Sequence, residues 1–205
     1  MSWKNDQVNE KETKRILELA ESVLGVEGDF VEFGCYKGDT SLLLQEILVR
    51  SGVEKFVEKS EERLCENGGK GGKRLWIYDS FEGLPEKGSQ DESALGVLFR
   101  SGELAATKRE VKQRFLKAGL PVPVIKKAWF ADLAEADLPE RIAFAFLDGD
   151  FYESIRDSLR LVAPRMSKSG VIVVHDYTNP ALPGVKMAVD ELMMGSKKQF
   201  HIVLL

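Results

Sequence analysis

The sequence predicts an α/β fold in which helices cover both faces of a doubly wound, mostly parallel β-sheet. Helical and strand-like segments alternate along most of the chain, an order typical of such sheets. The runs 142–147 and 171–174 are apolar throughout, as expected of strands buried on both faces. Five acidic residues lie at or just after strand-like runs, namely Glu32, Asp79, Asp132, Asp148 and Asp176. Because parallel strands share one carboxyl edge, we expect these acids to converge there.

Composition indicates a single domain over residues 1–205. Hydrophobic residues make up 43% and charged residues 30% of the chain, which suits one substantial core. The net charge of −4 argues against nucleic acid as the main partner. No apolar run approaches the length of a membrane span, and the polar N-terminus lacks a secretory pattern. Cys35 and Cys65 form no metal-binding spacing, so we expect a reduced, cytoplasmic protein that does not associate with membranes.

The first part of the chain predicts a helix, a strand and a second helix, followed by a surface loop. The helix covers residues 9–25, with Asn9 as its cap and Glu12 three residues further on. The strand covers residues 29–34 and the second helix residues 40–51. Residues 52–73 are charged and then glycine-rich, and they predict a loop with a short helix near 57–64.

The middle of the chain contains a long segment without a clear period. Residues 75–78 predict the second strand, which ends in Asp79. The irregular residues 80–106 are therefore expected to form a lid or substrate loop beside the strand end. A capping box at Thr107 then starts a helix, and a third strand is expected near residues 123–125.

The C-terminal part predicts two helices and a final strand. Asp150 and Glu153 form a capping box for one helix, Pro183 opens the other, and residues 200–205 form the strand. Only this one strand-like run follows the last helix. An uncovered edge strand of this composition would favour a homodimer, or aggregation.

The segment from Glu32 to Ser41 combines a strand end, a glycine loop and a helix start. Gly34 and Gly38 allow a sharp turn, and the free N–H groups of the helix favour an anionic group. The dinucleotide fingerprint needs a third glycine, and no Gly-Lys-Ser/Thr follows as in a phosphate loop. The pattern resembles the first motif of S-adenosylmethionine-dependent methyltransferases, and an ordinary strand-to-helix turn is the alternative.

Four blocks in order resemble the macrocin O-methyltransferase family, which methylates sugar hydroxyls in natural products. These blocks are residues 31–41, 78–85, 146–154 and 174–177. The resemblance implies a class I methyltransferase fold, which is Rossmann-like and normally has two strands after its last helix. Since only one such run follows here, either the sheet has six strands and lacks the last one, or the chain is shortened. The resemblance also implies an S-adenosylmethionine-dependent O-methyltransferase whose acceptor is a hydroxyl of a small molecule, a sugar or a glycosylated metabolite.

The resemblance further implies where the cofactor binds. The methionine end and the adjoining helix start are placed at Glu32, Phe33, Gly34, Tyr36, Gly38, Thr40 and Ser41. The ribose is placed at Asp79, where a strand-end acid can also accept hydrogen bonds from a diol. The adenine is placed near Ser80, Phe81 and Asp132.

A divalent cation, magnesium or else manganese, is implied at Asp148, His175 and Asp176. Such a cation lowers the pKa of a bound hydroxyl, and Asp148 could serve as general base. His175 departs from the acidic pair usual in the family, which favours manganese, iron or zinc over magnesium. Three roles stay open for His175: metal ligand, general base and structural histidine. A metal-independent methyltransferase with His175 as base and a non-catalytic cofactor-binding module are the competing hypotheses.

Overall fold

The computed structural model describes residues 7–52, 56–59, 62–65, 72–95, 99–194 and 199–205. The helices are α1 Glu10–Ser22, α2 Asp39–Arg50, α3 Lys108–Ala118, α4 Tyr152–Val162 and α5 Pro183–Met193. The strands are β1 Asp29–Phe33, β2 Phe56–Lys59, β3 Glu62–Cys65, β4 Leu75–Asp79, β5 Val124–Lys127, β6 Ile142–Leu147, β7 Met166–Val174 and β8 His201–Leu204.

Six parallel strands form one sheet in the order β5-β4-β1-β6-β7-β8. Strand β1 is central, and Phe33 at its end lies opposite Tyr78 of β4 and Leu147 of β6. One core cluster joins the sheet to α1, α2 and α3, and a second joins it to α4 and α5. The predicted doubly wound α/β fold is therefore confirmed, with the carboxyl ends of β4, β1, β6 and β7 side by side.

Local sequence signals explain most helix starts. The side chain of Asn9 accepts a hydrogen bond from the Glu12 N–H at the start of α1. Thr107 and Glu110 form the predicted capping box of α3, and Pro183 occupies the first turn of α5. These signals act over three or four residues, which is why they can be identified from sequence.

Two local predictions are wrong. The segment 57–64 does not form a helix, because β2 and β3 pair as an antiparallel hairpin with Phe56 opposite Cys65. Asp150 and Glu153 do not cap α4, whose N-cap is Phe151 without a side-chain cap bond. The first amide of α4 is instead bonded to a carboxylate from a distant loop, described below.

The final strand of the prediction is confirmed as β8, which pairs in parallel with β7 at the edge of the sheet. The main sheet thus has six strands in the part of the chain that the structure describes. A homodimer through this edge stays a prediction. Among the described helices, none is both long and apolar enough to span a bilayer.

Candidate active site

A cavity of about 230 Å³ opens at the carboxyl edge of the sheet. Four of the five strand-end acids line it, namely Glu32, Asp79, Asp148 and Asp176. The fifth, Asp132, is exposed and does not line the cavity. The predicted convergence therefore occurs at β1, β4, β6 and β7, whereas the acid that follows β5 points elsewhere.

The glycine loop after β1 packs directly on the segment after β6. Gly34 has a φ of +85°, and a Cβ there would lie 2.0 Å from the carbonyl oxygen of Asp148. Gly38 has a φ of +80° and is the N-cap residue of α2. Position 34 therefore requires glycine for both conformation and space, since any side chain would displace the backbone of Asp148.

Asp79 binds the glycine loop through its side chain. Its Oδ2 accepts hydrogen bonds from the N–H groups of Cys35 at 2.8 Å and Tyr36 at 3.1 Å. Its Oδ1 accepts a bond from the N–H of Phe81 at 2.7 Å. An ionised carboxylate offers about four acceptor positions, so one position is left for a ligand hydroxyl. Asp79 thus fixes the shape of the loop in addition to any contact with a ribose.

Glu32 is buried at the end of β1 and accepts a hydrogen bond from the hydroxyl of Ser41. Burial raises the pKa of Glu32 to about 8, with the charges of Asp148 and Asp79 adding to it and the Ser41 bond opposing it. In the unliganded protein Glu32 is therefore largely protonated at neutral pH. A ligand with a cationic group beside Glu32 would favour its ionised form.

The raised pKa of Glu32 predicts a measurable pH dependence of stability. The pKa of Glu32 is 4.5 in the unfolded chain and about 8 in the folded protein, so folding is favoured when Glu32 is protonated. This stabilisation is fully present below pH 4.5. The effect is lost as the pH rises through 8. The glutamine in the Glu32→Gln variant cannot ionise. Over this pH range the free energy of unfolding of the variant should therefore fall by roughly 2 to 5 kcal/mol less than that of the unmutated protein.

Urea denaturation of both proteins across this pH range measures the difference. The exposed Glu18, changed to Gln, is the matched control and should parallel the unmutated protein. Parallel curves for all three proteins would show that Glu32 ionises normally in the folded state.

Asp148, His175 and Asp176 form the second part of the cavity. His175 Nδ1 lies 3.0 Å from Asp148 Oδ1 and 2.9 Å from Asp176 Oδ2. One potential ligand atom from each residue lies within 4.8 Å of the others. Adjacent ligands of an octahedral ion with bonds near 2.1 Å are separated by about 3 Å, so the donor set fits a divalent cation. Asn179 supports this arrangement by donating a hydrogen bond from Nδ2 to Asp176 Oδ1 at 2.8 Å.

The charge of His175 bears on the roles left open for it. Burial alone would lower its pKa, but the carboxylates of Asp148 and Asp176 outweigh burial and raise the pKa to about 12. The protonated ring has no lone pair with which to accept a proton. Without a bound cation, the geometry therefore disfavours His175 as general base. A cation between the two carboxylates would offset their charge and leave the neutral ring available as a ligand.

The structure separates the predicted cofactor residues into two groups. The residues that line the cavity are Glu32, Gly34, Tyr36, Thr40, Asp79 and Ser80. The remaining ones do not line it: Phe33, Gly38, Ser41, Phe81 and Asp132. Phe33 and Phe81 belong to the two core clusters, and Ser41 acts on the cavity through Glu32.

Two aromatic residues line the cavity and were not predicted. Trp129 and Phe130 lie just after β5, where the prediction named Asp132. The ring of Phe130 packs edge-on against Phe33 with the centroids 5.1 Å apart. The apolar pair beside Asp132 in the sequence was the available signal, because an aromatic wall suits a flat apolar ring.

Asp91 is a buried residue that sequence reasoning missed. Its Oδ1 accepts a hydrogen bond from the first N–H of α4, at Tyr152, at 2.8 Å. A Cβ on Gly184, at the start of α5, would lie 1.9 Å from the same oxygen. Asp91 therefore anchors the 80–106 segment to α4 and α5, the helices that follow Asp148 and Asp176 in the chain.

Other parts of the 80–106 segment border the cavity. Gly83, Leu84, Pro85, Phe99 and Leu104 line it, which fits a role in covering the site. Residues 96–98 lie outside the described part of the chain. The lid function stays a prediction.

Asp150 also faces the cavity, in place of its predicted capping role. Its backbone is left-handed, with a φ of +62°. Burial, followed by the charges of Asp148 and Asp176, raises the pKa of Asp150 well above its usual range. A protonated Asp150 can donate a hydrogen bond into the cavity.

Comparison with known proteins places the chain in a family. The sequence profile described as Macrocin-O-methyltransferase (TylF) matches residues 61–199, more than half of the chain. The chain belongs to the macrocin O-methyltransferase family. The family prediction is thus confirmed, and the α/β fold is that of class I methyltransferases.

Individual macrocin O-methyltransferase relatives are moderately similar. One is 8-demethyl-8-(2,3-dimethoxy-alpha-L-rhamnosyl)-tetracenomycin-C 4'-O-methyltransferase of Streptomyces olivaceus, 30% identical over 75% of this chain and 54% of its own. Another is demethyldecarbamoylnovobiocin O-methyltransferase of Streptomyces niveus, 29% identical over 88% of this chain and 64% of its own. The chain therefore spans less than two thirds of the length of either relative.

A solved structure of an O-methyltransferase also resembles this chain. The O-methyltransferase NovP superposes with a TM-score of 0.72 at 29% identity. The match covers 90% of this chain and 71% of NovP. The described sheet and its flanking helices thus correspond to most of a known O-methyltransferase.

Proposed function

We propose that this protein is an S-adenosylmethionine-dependent O-methyltransferase that methylates a hydroxyl of a glycosylated small molecule with the help of a divalent cation. The observation that carries the proposal is one cavity that contains both Glu32 with Asp79 and the cluster Asp148, His175 and Asp176. The first pair suits a cofactor with a cationic amine and a ribose diol. The cluster suits a cation and a hydroxyl.

The cofactor half of the proposal rests on the loop after β1. Asp79 holds the N–H groups of Cys35 and Tyr36, so the loop is preorganised before a ligand arrives. Glu32 can exchange its proton for an interaction with an ammonium group. Trp129 and Phe130 supply an apolar wall suited to an adenine ring.

The acceptor half rests on Asp148, whose backbone packs against Gly34 of the glycine loop and whose carboxylate lies 3.0 Å from His175 Nδ1. Methyl transfer from a sulfonium to an alcohol requires loss of the hydroxyl proton, and a cation at the cluster would lower the pKa of that hydroxyl. Asp148 would then receive that proton as general base. Asn179 and the left-handed backbone of Asp176 hold the second carboxylate in place.

The charge of the cavity favours an acceptor without phosphate. Its acidic lining residues are Asp39, Asp79, Asp148 and Asp176, together with Glu32 and Asp150, whose raised pKa values favour the neutral form. No lysine or arginine is found among the lining residues within the described ranges. A neutral glycoside suits such a surface better than an anionic sugar, because like charges oppose binding. The tetracenomycin and novobiocin O-methyltransferases named above make a glycosylated metabolite the first class to test.

The test is calorimetric titration of metal-free protein with S-adenosylhomocysteine, followed by a methyl-transfer assay on a panel of neutral glycosides with Mg²⁺ or Mn²⁺. We expect micromolar binding of S-adenosylhomocysteine and methylation only when a cation is present. Methylation without any cation would support the metal-independent alternative, and binding without methylation of any glycoside would support a cofactor-binding module.

Asp79→Ala is the variant that tests the cofactor half. It leaves three backbone N–H groups without their acceptor, so S-adenosylhomocysteine should bind at least about tenfold more weakly. Asp190→Ala removes an aspartate from an exposed ion pair with Lys186 on α5 and should bind like the unmutated protein. Equal affinities of all three proteins would contradict the assignment of this loop.

A further inference from the structure

Helix α1 reaches the candidate metal cluster through one side chain. Glu12 Oε2 lies 3.3 Å from His175 Nε2, the ring nitrogen that faces away from Asp148 and Asp176. The other ring nitrogen, Nδ1, faces both carboxylates. The imidazole is thus held between an acid of the first helix on one side and the cluster on the other.

Helix α1 is fixed in position, so this contact is not accidental crowding by a loose terminus. Ile16, Leu19 and Ala20 bury one side of the helix in the same core cluster as α2 and β7. The Asn9 cap accepts from the backbone of Glu12, which leaves the Glu12 side chain available for His175. Val8, just before the helix, lines the cavity.

The His175 ring therefore lies between the Glu12 carboxylate and the candidate cation position. A histidine that binds a metal usually donates its second N–H to a carboxylate, which fixes the tautomer and the orientation of the ring. Here such a carboxylate is present on Nε2, and Nδ1 is directed at the two other candidate ligands.

We propose that Glu12 is the positioning residue of the metal site: it accepts the Nε2–H of His175 and so presents Nδ1 to the cation beside Asp148 and Asp176. This rests on the metal-assisted function proposed above. It also explains how a histidine can serve at this position, because Glu12 adds a negative charge behind the neutral ring. The N-terminal helix thereby becomes part of the cation site.

Manganese binding, followed by the electron paramagnetic resonance signal of free Mn²⁺, tests the proposal without an activity assay. We expect Glu12→Gln to weaken Mn²⁺ binding by about tenfold. Glu10→Gln removes the same charge from an exposed position in the same turn of α1 and should bind Mn²⁺ like the unmutated protein. Equal weakening by both variants would reduce the effect to general electrostatics and overturn the proposal.

Repeating the Glu12→Gln substitution in a variant that lacks the His175 ring tests whether Glu12 acts through that ring. His175→Asp removes the imidazole, so adding Glu12→Gln to it should cause no further loss of Mn²⁺ affinity. The same tenfold loss in both backgrounds would overturn the proposal, because Glu12 would then act without His175.

The ring itself gives a third readout. The chain contains two histidines, so imidazole nitrogen resonances are easily assigned. On addition of Zn²⁺, a diamagnetic probe, Nδ1 of His175 should shift while Nε2 stays protonated, and the reverse pattern would overturn the proposal. Titration of the unmutated protein with S-adenosylhomocysteine distinguishes failure of this proposal from failure of the proposed function. If the protein binds S-adenosylhomocysteine but no metal ion, the role of Glu12 and the metal assistance are overturned. If it does not bind S-adenosylhomocysteine, the proposed function is overturned.

Discussion

Asp148→Asn is expected to reduce methyl transfer by roughly 100- to 10,000-fold, because it removes the proposed general base and a candidate metal ligand together. The substitution keeps the size of the side chain and an oxygen that can contact His175. The hydrogen bonds that Asp79 accepts from the N–H groups of Cys35, Tyr36 and Phe81 do not involve Asp148. Binding of S-adenosylhomocysteine should therefore be retained while turnover is lost.

Single-turnover rates with saturating acceptor, combined with calorimetric titration, measure the two effects separately. Glu153→Gln is the control, since Glu153 lies outside the cavity in an exposed pair with Arg156. Full activity of Asp148→Asn would show that the base lies elsewhere. Loss of cofactor binding together with activity would instead indicate that Asp148 supports the fold of the loop after β1.

The sequence predicted the fold well because its main signals are local or periodic. The apolar run 142–147 has every residue buried in the structure, as expected of a central parallel strand. The Asn9 and Thr107 caps are formed as predicted, since a cap depends on residues three positions apart. The convergence of Glu32, Asp79, Asp148 and Asp176 followed from strand direction alone.

The remaining features depend on contacts between distant segments. Asp150 matches a capping pattern, but Asp91, from the long irregular segment, takes the amide of Tyr152 instead. Glu12 matched only the position three residues after the Asn9 cap, and no sequence rule relates its side chain to a histidine 163 residues away. The positions of individual side chains in the site therefore required the structure, whereas the edge of the sheet at which they meet did not.

Gly34→Ala is expected to destabilise the protein by more than about 4 kcal/mol, an effect outside the usual range for a single methyl group. The new Cβ would lie 2.0 Å from the Asp148 carbonyl oxygen, which is backbone and cannot rotate away. A hydrogen bond from Asp148 N to the Phe33 carbonyl, at 2.9 Å, holds the two segments together, and a bond from Gly34 N to the Tyr78 carbonyl, also 2.9 Å, fixes Gly34 to β4 on its other side. Relief of the clash must therefore separate β1 from β6 at the cavity.

Gly119→Ala serves as the control that separates the steric clash at residue 34 from the cost of placing alanine in a left-handed backbone conformation. Gly119 ends α3 with a φ of +69°, and a Cβ there would meet nothing within 4 Å. Alanine at this position should cost only about 1 to 2 kcal/mol, the price of a left-handed backbone. Urea denaturation of the two variants gives the difference. Equal costs would mean that the contact between residues 34 and 148 is loose. A much larger cost at residue 34 would show that this glycine allows the loop after β1 and the Asp148 segment to pack as one rigid unit.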